Sequence, residues 1–384
     1  TKRAWQITSY ADPNDILAVA DHTDCTAIHP GYGFFSEDFR FARRVTVRDR
    51  PLIFIGPNWQ VIKNLGDKIN TKKVAKSLSI PVIPGTDSPI YNEMEAEEIA
   101  DQLLDDQKNQ NIKNPSILVK AAAGGGGMGI EEVSEIEQFR RVYRQVQNYA
   151  KRQFGDAGVL IEQCLRDYNH LEVQLLCSRH GERLHFGTRN CTIQSTGRQK
   201  RVEASPGFDD SCFVYDFDSN DVLEKIVNYS LKLASHVRYD NVGTWEWIVA
   251  QNGQPYLLEV NTRIQVENDI SARISYIDGK HPNLIREQIR IALGDRIGFS
   301  QDAIKFNGAS IELRIVAEDT RRGFAPWIGP IEKFKFPQHE WAAVYTHVPF
   351  DRPYMIPSDF DPNLALVVLW GDSIQETKER ASQF

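Results

Sequence analysis

Residues 256–268, YLLEVNTRIQVEN, alternate apolar side chains with acids, amides and an arginine. In a β-strand, successive side chains point to opposite faces, so one face would be ordinary core and the other polar. The polar face would carry Glu259, Asn261, Arg263, Gln265 and Glu267. Carboxylate and amide oxygens can hold a hard divalent cation, and a guanidinium offers forked donors to an oxyanion. The stretch therefore predicts either a water-facing strand or one wall of a reaction site.

The same alternation recurs in three other segments, and this recurrence favours a site. Solvated strand faces favour Thr, Lys and Ser, whereas these faces carry acids, amides, His and Arg. The polar positions are His170, Glu172 and Gln174 in NHLEVQLL, Glu246 in GTWEWI, and Ser310, Glu312 and Arg314 in ASIELRIV. If the strands are neighbours, they form a charged floor suited to phosphoryl transfer by positioning and charge neutralisation. Lys200, in the Gly-containing basic loop QSTGRQKRVE, could add positive charge.

A glycine run lies at residues 120–130, KAAAGGGGMGI, and formally satisfies G-x-G-x-x-G. A dinucleotide fold needs such glycines to open a helix. Here a short strand, GIEEV, follows, and the next helix is predicted to start at a Ser134–Glu137 capping box. Glycines without Cβ atoms can bring backbone N–H groups close to phosphates, as a lid does. Lys120, directly before the run, favours phosphate binding over a ligand-free hairpin.

Composition limits the possible partners. The chain has 384 residues, 41% hydrophobic and 25% charged, which is typical of a soluble globular protein with two or three packed units. A net charge of −7 argues against nucleic acid or an anionic membrane as partner, and no apolar run is long enough for a membrane span. Five cysteines without a CxxC pair indicate a reduced, cytoplasmic compartment with neither a zinc site nor a disulfide framework. The start, TKRAWQ, indicates no signal peptide and suggests a trimmed or processed amino terminus.

Local signals predict an α/β beginning and a strand-rich remainder. Short strands in 25–33 and 51–57 end in Gly/Pro turns, which is where open α/β sheets put their sites. A helix is predicted from Trp59 to about Leu78, and 105–115 reads as a polar loop. Beyond residue 166, the predicted strands are HLEVQLLCS, ERLHFGT, CTIQS, VGTWEWIVA, PYLLEVNTRIQVE and ASIELRIVAE. Two predicted helices interrupt them, SNDVLEKIVNYSLKLASHV and HPNLIREQIRIAL.

These segments together resemble the biotin carboxylase component of biotin-dependent carboxylases, a family with the ATP-grasp fold. The similar motifs occur in the family's order and cover nearly the whole chain, and EVNTRIQVE is the most specific of them. They are AIHPGYGFFSED (27–38), FIGPNWQVIKNLGDK (54–68), VKAAAGGGGMG (119–129), GTWEW (243–247), EVNTRIQVEN (259–268) and IELRIVAED (311–319). Compared with the family, the chain lacks an amino-terminal stretch and the carboxy-terminal end.

The resemblance implies an α/β and α+β architecture. The expected ATP-grasp fold has an N-terminal doubly wound (preATP-grasp) remnant, a small glycine-loop lid subdomain and a C-terminal, mainly antiparallel-sheet domain. The implied divisions are an incomplete N-terminal domain at 1–65, a helical linker at 66–82, the lid at 83–165, and the ATP-grasp C domain with an incomplete biotin carboxylase C-terminal region at 166–384.

The resemblance also implies a reaction in two steps. ATP phosphorylates bicarbonate, and the carboxyphosphate, or CO₂ derived from it, carboxylates the ureido nitrogen of biotin. ATP, Mg²⁺ or Mn²⁺ and carrier-bound biotin are therefore the expected cofactors. The expected partners are a biotin carboxyl carrier protein or domain, a carboxyltransferase, and a second copy in a homodimer or larger complex. The expected compartment is the cytoplasm, or the mitochondrial matrix or plastid in a eukaryote.

Site roles follow from the resemblance residue by residue. The nucleotide would be held by Lys68, Lys120, Gly124, Gly125, Gly126, Gly127, Glu162, Leu165, His170 and Gln194. The metal ions would be held by Glu246, Glu259 and Asn261. Bicarbonate would be held by Lys200, Arg263, Gln265 and the backbone of Val266. Glu267 would be the base, Arg314 would stabilise charge on the ureido oxygen of biotin, and Tyr32 would lie near the biotin ring.

Departures from the family pattern suggest a divergent branch. After EVNTRIQVE the family continues His-Pro-Val-Thr-Glu, whereas residues 268–272 read Asn-Asp-Ile-Ser-Ala. Met128 replaces a basic residue, Arg198 a His, and Leu366 a Lys. Two other interpretations stay open: another ATP-grasp ligase that joins a carboxylate to an amine, and a catalytically silent structural component of a carboxylase complex.

Overall fold

The computed structural model describes residues 5, 7–110, 112–123, 129–195, 199–209, 214–357 and 362–384. Its α-helices are α1 (Pro13–His22), α2 (Phe39–Thr46), α3 (Trp59–Gly66), α4 (Lys68–Ser77), α5 (Glu93–Asn109), α6 (Ile136–Phe154), α7 (Ser219–His236), α8 (Asn268–Arg273), α9 (Leu284–Leu293) and α10 (Ile374–Gln383). Short 3₁₀ helices lie at Gln301–Ala303 and Thr320–Arg322.

The strands before residue 250 are β1 (Ala27–Ile28), β2 (Ile53–Phe54), β3 (Ile117–Ala121), β4 (Ile130–Val133), β5 (Val159–Gln163), β6 (Asn169–Cys177), β7 (Arg183–Gln194), β8 (Lys200–Ser205) and β9 (Asn241–Val249). The later strands are β10 (Pro255–Asn261), β11 (Ser275–Tyr276), β12 (Lys305–Phe306), β13 (Ala309–Val316), β14 (Glu318–Asp319), β15 (Ala325–Pro326), β16 (Gly329–Ile331), β17 (Ala342–Thr346), β18 (Tyr354–Ile356) and β19 (Asn363–Gly371).

The chain divides into two compact units. The first consists of Thr1–Gly66, Asn169–Trp247 and Glu259–Phe384, and the second of Asp67–Tyr168 and Ile248–Leu258. Among the described residues, no helix combines the length and the apolar character that crossing a bilayer requires.

An eight-stranded sheet with the order β10-β9-β6-β7-β8-β13-β19-β17 has most of its residues in the first unit. The pairings from β6–β7 through β17–β19 are antiparallel. One face packs on α7, where Trp247 donates a hydrogen bond to Ser230 Oγ (3.1 Å) and stacks on Tyr229. The alternation predicted for β6 and β9 therefore turns their polar residues to the other face, where they are buried rather than solvated.

The first unit also contains three smaller features. β1 and β2 lie in the predicted amino-terminal segments and pair in parallel. α2 begins where the Asp38 carboxylate accepts hydrogen bonds from the backbone of Arg40 and Phe41, an N-cap that the local preference of Asp for this position explains. The helix α8 packs on β7, β8, β13 and β19.

The second unit is a three-stranded antiparallel sheet, β4-β3-β5, with α5 and α6 packed on it. Its core is apolar, with Val119, Phe139 and Tyr143 buried between sheet and helices. The strands on either side of the glycine run are present as predicted, but residues 124–128 of the run itself lie outside the described residues.

The structure corrects five local predictions. The long helix predicted from Trp59 is two helices, because Asp67 interrupts it and caps α4 through Ile69 N and Asn70 N. The polar loop predicted at 105–115 begins later, since α5 continues to Asn109. The Ser134 capping box is wrong, because Glu135 is the N-cap of α6 and makes no side-chain cap bond.

The other two corrections concern the site. Lys200 does not lie in a loop but is the first residue of β8. The strand predicted through residue 267 ends at Asn261, and α8 starts at Asn268. Glu37 accounts for the early end, because its carboxylate accepts hydrogen bonds from Thr262 N and Arg263 Nε, both at 3.0 Å. Arg263, Gln265 and Glu267 therefore come from a connecting segment and not from a strand face.

Candidate active site

Lys200 is the central cation of the polar face in the first unit. Its ammonium contacts Glu172 Oε1 and lies 2.9 Å from Glu267 Oε1 and 3.4 Å from Glu246 Oε1. All three carboxylates are buried, with Glu172 on β6, Glu246 on β9 and Glu267 just ahead of α8. Three separate elements are therefore joined through a single side chain at the start of β8.

Arg189 on β7 is the second cation of this cluster and is fully buried. Its guanidinium donates to Glu172 Oε2 (2.9 Å), Gln174 Oε1 (2.8 Å) and Gln265 Oε1 (2.5 Å), and to Ser271 Oγ (3.2 Å). Glu172 and Arg189 are direct partners in the β6–β7 register, so this pair is built into the strand pairing.

The cations keep the three acids ionised. Burial raises the pKa of Glu172, Glu246 and Glu267, but Lys200 together with the other neighbouring cations and His170 lowers each pKa below 4.5. Arg189 contributes the same effect at Glu172 and Glu267. Burial would lower the pKa of Lys200, yet Glu172 and Glu267 raise it well above 10.5. The cluster is thus a set of fixed charges at neutral pH.

Glu246, Asn261 and Glu259 form the predicted metal-binding group. Asn261 Nδ2 donates to Glu246 Oε1 at 2.7 Å, and Glu259 lies two residues earlier on β10, so its side chain shares the face of Asn261. Two carboxylates and an amide are the donor chemistry that suits Mg²⁺ or Mn²⁺. The residues present therefore fit the predicted metal ions.

Two other groups bring possible ligand atoms within 4.8 Å of one another: His170, Glu172 and Glu246, and Glu172, Cys191 and Glu267. Both contain Glu172, whose charge Lys200 and Arg189 already neutralise. Burial also raises the pKa of the Cys191 thiol well above 9, which disfavours the thiolate that a metal would need. Neither group matches the oxygen-rich predicted site.

His170 joins two predicted residues. Its Nε2 lies 2.9 Å from Glu246 Oε2, and its Nδ1 lies 2.8 Å from Gln194 Nε2, so the ring is held from both sides. Burial lowers the pKa of His170, but the hydrogen bond and charge of Glu246, together with the charge of Glu172, raise the net pKa above 6.5. His170 and Gln194 therefore lie next to the metal-binding group, at the end of the sheet where β6 begins and β7 ends.

Arg263, Gln265 and Val266 lie in the segment between β10 and α8. Arg263 donates to Glu37 Oε2 (3.0 Å) and Asn261 Oδ1 (3.2 Å), and Gln265 Nε2 donates to Glu246 Oε1 (3.1 Å). Val266 is half-buried in the turn before α8. The structure thus brings Arg263 and Gln265 to the acids as predicted, by a bend rather than by strand alternation.

Arg314 approaches the other side of Glu267. Its Nη2 lies 3.3 Å from Glu267 Oε2 and also contacts Glu203 Oε1 on β8. Glu267 is therefore held between Lys200 on one oxygen and Arg314 on the other. The proposed base and the proposed charge-stabilising arginine are in direct contact.

The second unit holds a separate ion cluster. The carboxylate of Glu162 on β5 contacts both Lys120 Nζ on β3 and Lys72 Nζ on α4. Burial, with help from Lys76, lowers the pKa of Lys72 to about 8. Of the other residues predicted for this unit, Lys68 is exposed at the start of α4 and Leu165 is half-buried after β5, while Gly124, Gly125, Gly126 and Gly127 lie outside the described residues.

Two of the residues that depart from the family pattern, Asn268 and Leu366, occupy positions that the structure describes. Asn268 donates from Nδ2 to the Gln265 carbonyl (2.8 Å) and so closes the turn before α8. Leu366 on β19 lies directly opposite Arg314. Tyr32, 58% exposed, lies in the segment after β1. Met128 and Arg198 lie outside the described residues.

Four site residues were not singled out from the sequence: Arg189, Glu37, Glu203 and Lys72. The predicted strand ERLHFGT ended one residue before Arg189, although an arginine opposite a buried glutamate is a usable cross-strand signal. Glu37 could not be found this way, because it reaches Arg263 across 226 residues.

Family models match along most of the chain. The model for the biotin carboxylase N-terminal domain matches residues 2–62, the model for the ATP-binding domain of the carbamoyl-phosphate synthase L chain matches residues 67–299, and the model for the biotin carboxylase C-terminal domain matches residues 312–384.

Curated relatives are similar over nearly the whole of this chain. The 2-oxoglutarate carboxylase small subunit of Hydrogenobacter thermophilus is 35% identical over 95% of the chain and 71% of its own length. The biotin carboxylase of Nostoc sp. is 34% identical over 94% of the chain and 75% of its own length.

Solved structures give the same result for the fold. The biotin carboxylase domain dimer of the Hydrogenobacter thermophilus 2-oxoglutarate carboxylase, in complex with MgADP, ADP and bicarbonate, superposes with a TM-score of 0.83 at 34% identity, covering 97% of this chain and 76% of that chain. Biotin carboxylase from Campylobacter jejuni gives a TM-score of 0.82 at 31% identity, with the same coverage of both chains. The predicted ATP-grasp fold is confirmed, and the chain belongs to the biotin carboxylase family.

Proposed function

We propose that this chain catalyses the ATP- and bicarbonate-dependent carboxylation of the ureido nitrogen of biotin, the first half-reaction of a biotin-dependent carboxylase. One observation carries the proposal. Glu267 is buried and held between Lys200 at 2.9 Å and Arg314 at 3.3 Å, next to Gln265 and Arg263. A base flanked by cations and amide donors is what a small planar oxyanion requires for binding and deprotonation.

Bicarbonate binding is assigned to Lys200, Arg263, Gln265 and the Val266 backbone. The forked guanidinium and the ammonium supply charge, and Gln265 supplies a neutral donor. Glu267 is ionised at neutral pH because Lys200 lowers its pKa, so it can accept the bicarbonate proton. A bound anion would neutralise part of the positive charge of Lys200, and this would raise the pKa of Glu267 and make it a stronger base.

Metal binding is assigned to Glu246, Glu259 and Asn261. The bound Mg²⁺ or Mn²⁺ would supply charge neutralisation at the phosphates of ATP. The chain's own contribution is to keep Glu246 ionised through Lys200 and His170 and to fix Asn261 against it.

Nucleotide contacts are assigned by family resemblance. In the second unit they are Lys68, Lys120, Gly124, Gly125, Gly126, Gly127, Glu162 and Leu165. In the first unit they are His170 and Gln194. Lys72 and Lys120 both contact Glu162, so two ammonium groups lie together in the second unit, which supports a phosphate role for this cluster.

Biotin and partner proteins complete the proposal. Arg314 would stabilise negative charge on the ureido oxygen, and Tyr32 would contact the biotin ring. We expect a biotin carboxyl carrier protein or domain to present the biotin, a carboxyltransferase to use the product, and the chain to work as a homodimer or within a larger complex. The compartment, whether cytoplasm, mitochondrial matrix or plastid, stays a prediction.

The direct test is ATP cleavage by the full-length protein with Mg²⁺. We expect cleavage to depend on bicarbonate and to rise when free biotin or a biotinylated carrier is added. A different ATP-grasp ligase would cleave ATP without bicarbonate when given its own acid and amine. A catalytically silent protein would bind nucleotide in a titration yet show no bicarbonate-dependent cleavage, and that result would refute the proposal.

A further inference from the structure

Two buried glutamates, Glu203 and Glu312, lie beside Arg314 and have no role in the function proposed above. Glu203 on β8 and Glu312 on β13 are direct partners across an antiparallel strand pair. Side chains at such positions share a face, with Cβ atoms about 5 Å apart. Both residues are fully buried, so any charge on either carboxyl group is held away from water.

The positive charge in contact with this pair is too small for both acids to ionise. Arg314 Nη2 contacts Glu203 Oε1, while its Nε is 4.0 Å from Glu312 Oε1 and its Nη2 is 3.3 Å from Glu267 Oε2. One guanidinium is thus shared among three carboxyl groups. Among the described residues, none forms a well-aligned hydrogen bond with any of the four oxygens of Glu203 and Glu312. A proton between the two carboxyls would remove a buried charge and supply the missing hydrogen bond.

Two further cations act on this pair: Lys200 on β8 lowers the pKa of Glu203, and Arg189 on β7 lowers that of Glu312. Cys191 on β7 and Glu267 ahead of α8 also interact electrostatically with the pair. Lys200 and Arg189 are both bound by Glu172, which takes up much of their positive charge.

The electrostatics agree with this geometry. Burial, opposed by Arg314, raises the pKa of Glu203 to about 7. Burial together with Glu203 and Glu267 raises the pKa of Glu312 well above 4.5. Both shifts favour protonation of the pair, and because Arg314 contacts Glu203 but lies 4.0 Å from Glu312, the geometry assigns the proton to Glu312.

We propose that Glu203 and Glu312 hold one proton between them and act as positioning residues for Arg314. Protonated Glu312 donates a hydrogen bond to Glu203, and ionised Glu203 anchors one side of the guanidinium. The remaining donors of Arg314 then stay directed toward Glu267 and the substrate. Loss of the shared proton at alkaline pH places two carboxylates against Arg314 and withdraws it. The inference rests on the proposed function, which gives Arg314 its substrate-facing role.

Two substitutions at one position separate a hydrogen-bond role from a packing role. Glu312→Gln keeps a donor that cannot titrate, and Glu312→Met keeps the volume without a donor. We expect kcat/KM for biotin to fall about tenfold or more in E312M, and by less than about threefold in E312Q, because one buried hydrogen bond is retained. The alkaline limb of the pH profile should move to higher pH in E312Q only. Glu287→Gln removes a buried acid bound by Arg286 and Arg290 on α9, outside the site, and should leave the profile unchanged.

Equal losses in E312Q and E312M, or an E312Q profile that coincides with that of the wild type, would overturn the proposal. Infrared difference spectra, wild type minus E312Q, provide a readout without turnover and do not need E312M to fold. They should contain the C=O stretch of a protonated carboxyl at neutral pH that disappears at alkaline pH, and its absence would also overturn the proposal. A wild-type protein without bicarbonate-dependent ATP cleavage would instead refute the proposed function, while the infrared band would still decide whether the proton is shared.

Discussion

Lys200 brings one ammonium to three buried carboxylates, and its removal would leave Glu172, Glu246 and Glu267 with far less positive charge. Breaking a buried ion cluster from one side typically costs about 3–5 kcal/mol. We expect Lys200→Met to lower the free energy of unfolding by this amount at neutral pH. The loss should shrink as the pH falls toward 5, because the unpaired acids can then bind protons. Urea unfolding at the two pH values measures both effects.

The matched control for Lys200→Met is Lys225→Met. Lys225 pairs with Asp221 one turn away on α7, where both side chains are about half exposed. Exposed pairs of this kind contribute little to stability, so the loss in Lys225→Met should be small. Equal losses in the two variants would contradict the central electrostatic role of Lys200.

Glu267 separates the proposed reaction from other ATP-grasp ligations, because a general base matters only if bicarbonate must be deprotonated. Glu267→Gln keeps the shape and removes the proton acceptor. We expect biotin-dependent ATP cleavage to fall by about 10²–10⁴-fold, the usual contribution of such a base. Nucleotide affinity, measured by titration with MgATP, should change little. Cleavage that survives in E267Q would assign the base elsewhere.

At the scale of single elements, the sequence predicted the strands that alternate cleanly but not the end of β10. The buried faces of β6, β9 and β13 follow directly from period-two patterning. The segment TRIQVE has the same pattern with β-branched residues, yet the chain leaves the sheet at Thr262. The cause is the contact with Glu37, a tertiary interaction that local propensity cannot report. The residues of that segment therefore lie near the acids, as predicted, but the strand geometry predicted for them was wrong.

The turn before β13 requires a left-handed backbone conformation at Gly308, and substitution can test this requirement. Gly308 has φ +74°, and a Cβ there would lie 2.3 Å from the Gly371 carbonyl oxygen on β19. Gly323 has a similar φ of +64° but nothing within 4 Å. Gly323→Ala should cost only the left-handed penalty of about 1–2 kcal/mol. Gly308→Ala must in addition move the β13–β19 backbone, so we expect a clearly larger drop in the free energy of unfolding. Equal drops would show that the turn relaxes without cost.

At the scale of the whole molecule, motif order identified the family, whereas the charge balance of the site required the coordinates. The sequence shows acids and bases on several strands but not which of them meet. Arg189, for example, is paired by strand register, and Glu203 meets Glu312 only because β8 and β13 are neighbours despite lying more than 100 residues apart. Sheet order is set by long-range packing, and no local period encodes it.

That charge balance predicts the pH dependence of stability. Glu172, Glu246 and Glu267 have folded pKa values below 4.5, so their contribution is present above pH 4.5 and is lost as the pH falls. Glu203 acts in the opposite sense. Its folded pKa is raised from 4.5 to about 7, so the folded state binds more protons and stability falls as the pH rises between these values.

Glu203→Gln should remove this falling limb. The difference in the free energy of unfolding, E203Q minus wild type, should rise by up to about 3 kcal/mol from pH 5 to pH 8. This follows from about 1.4 kcal/mol per unit of pKa shift. Ser205→Ala on the same strand removes a hydrogen bond to the Thr188 carbonyl and no titratable group. It should cost about 1 kcal/mol at both pH values. A wild-type minus E203Q difference that is as flat with pH as that of S205A would mean that Glu203 is ionised throughout, with Arg314 alone balancing its charge.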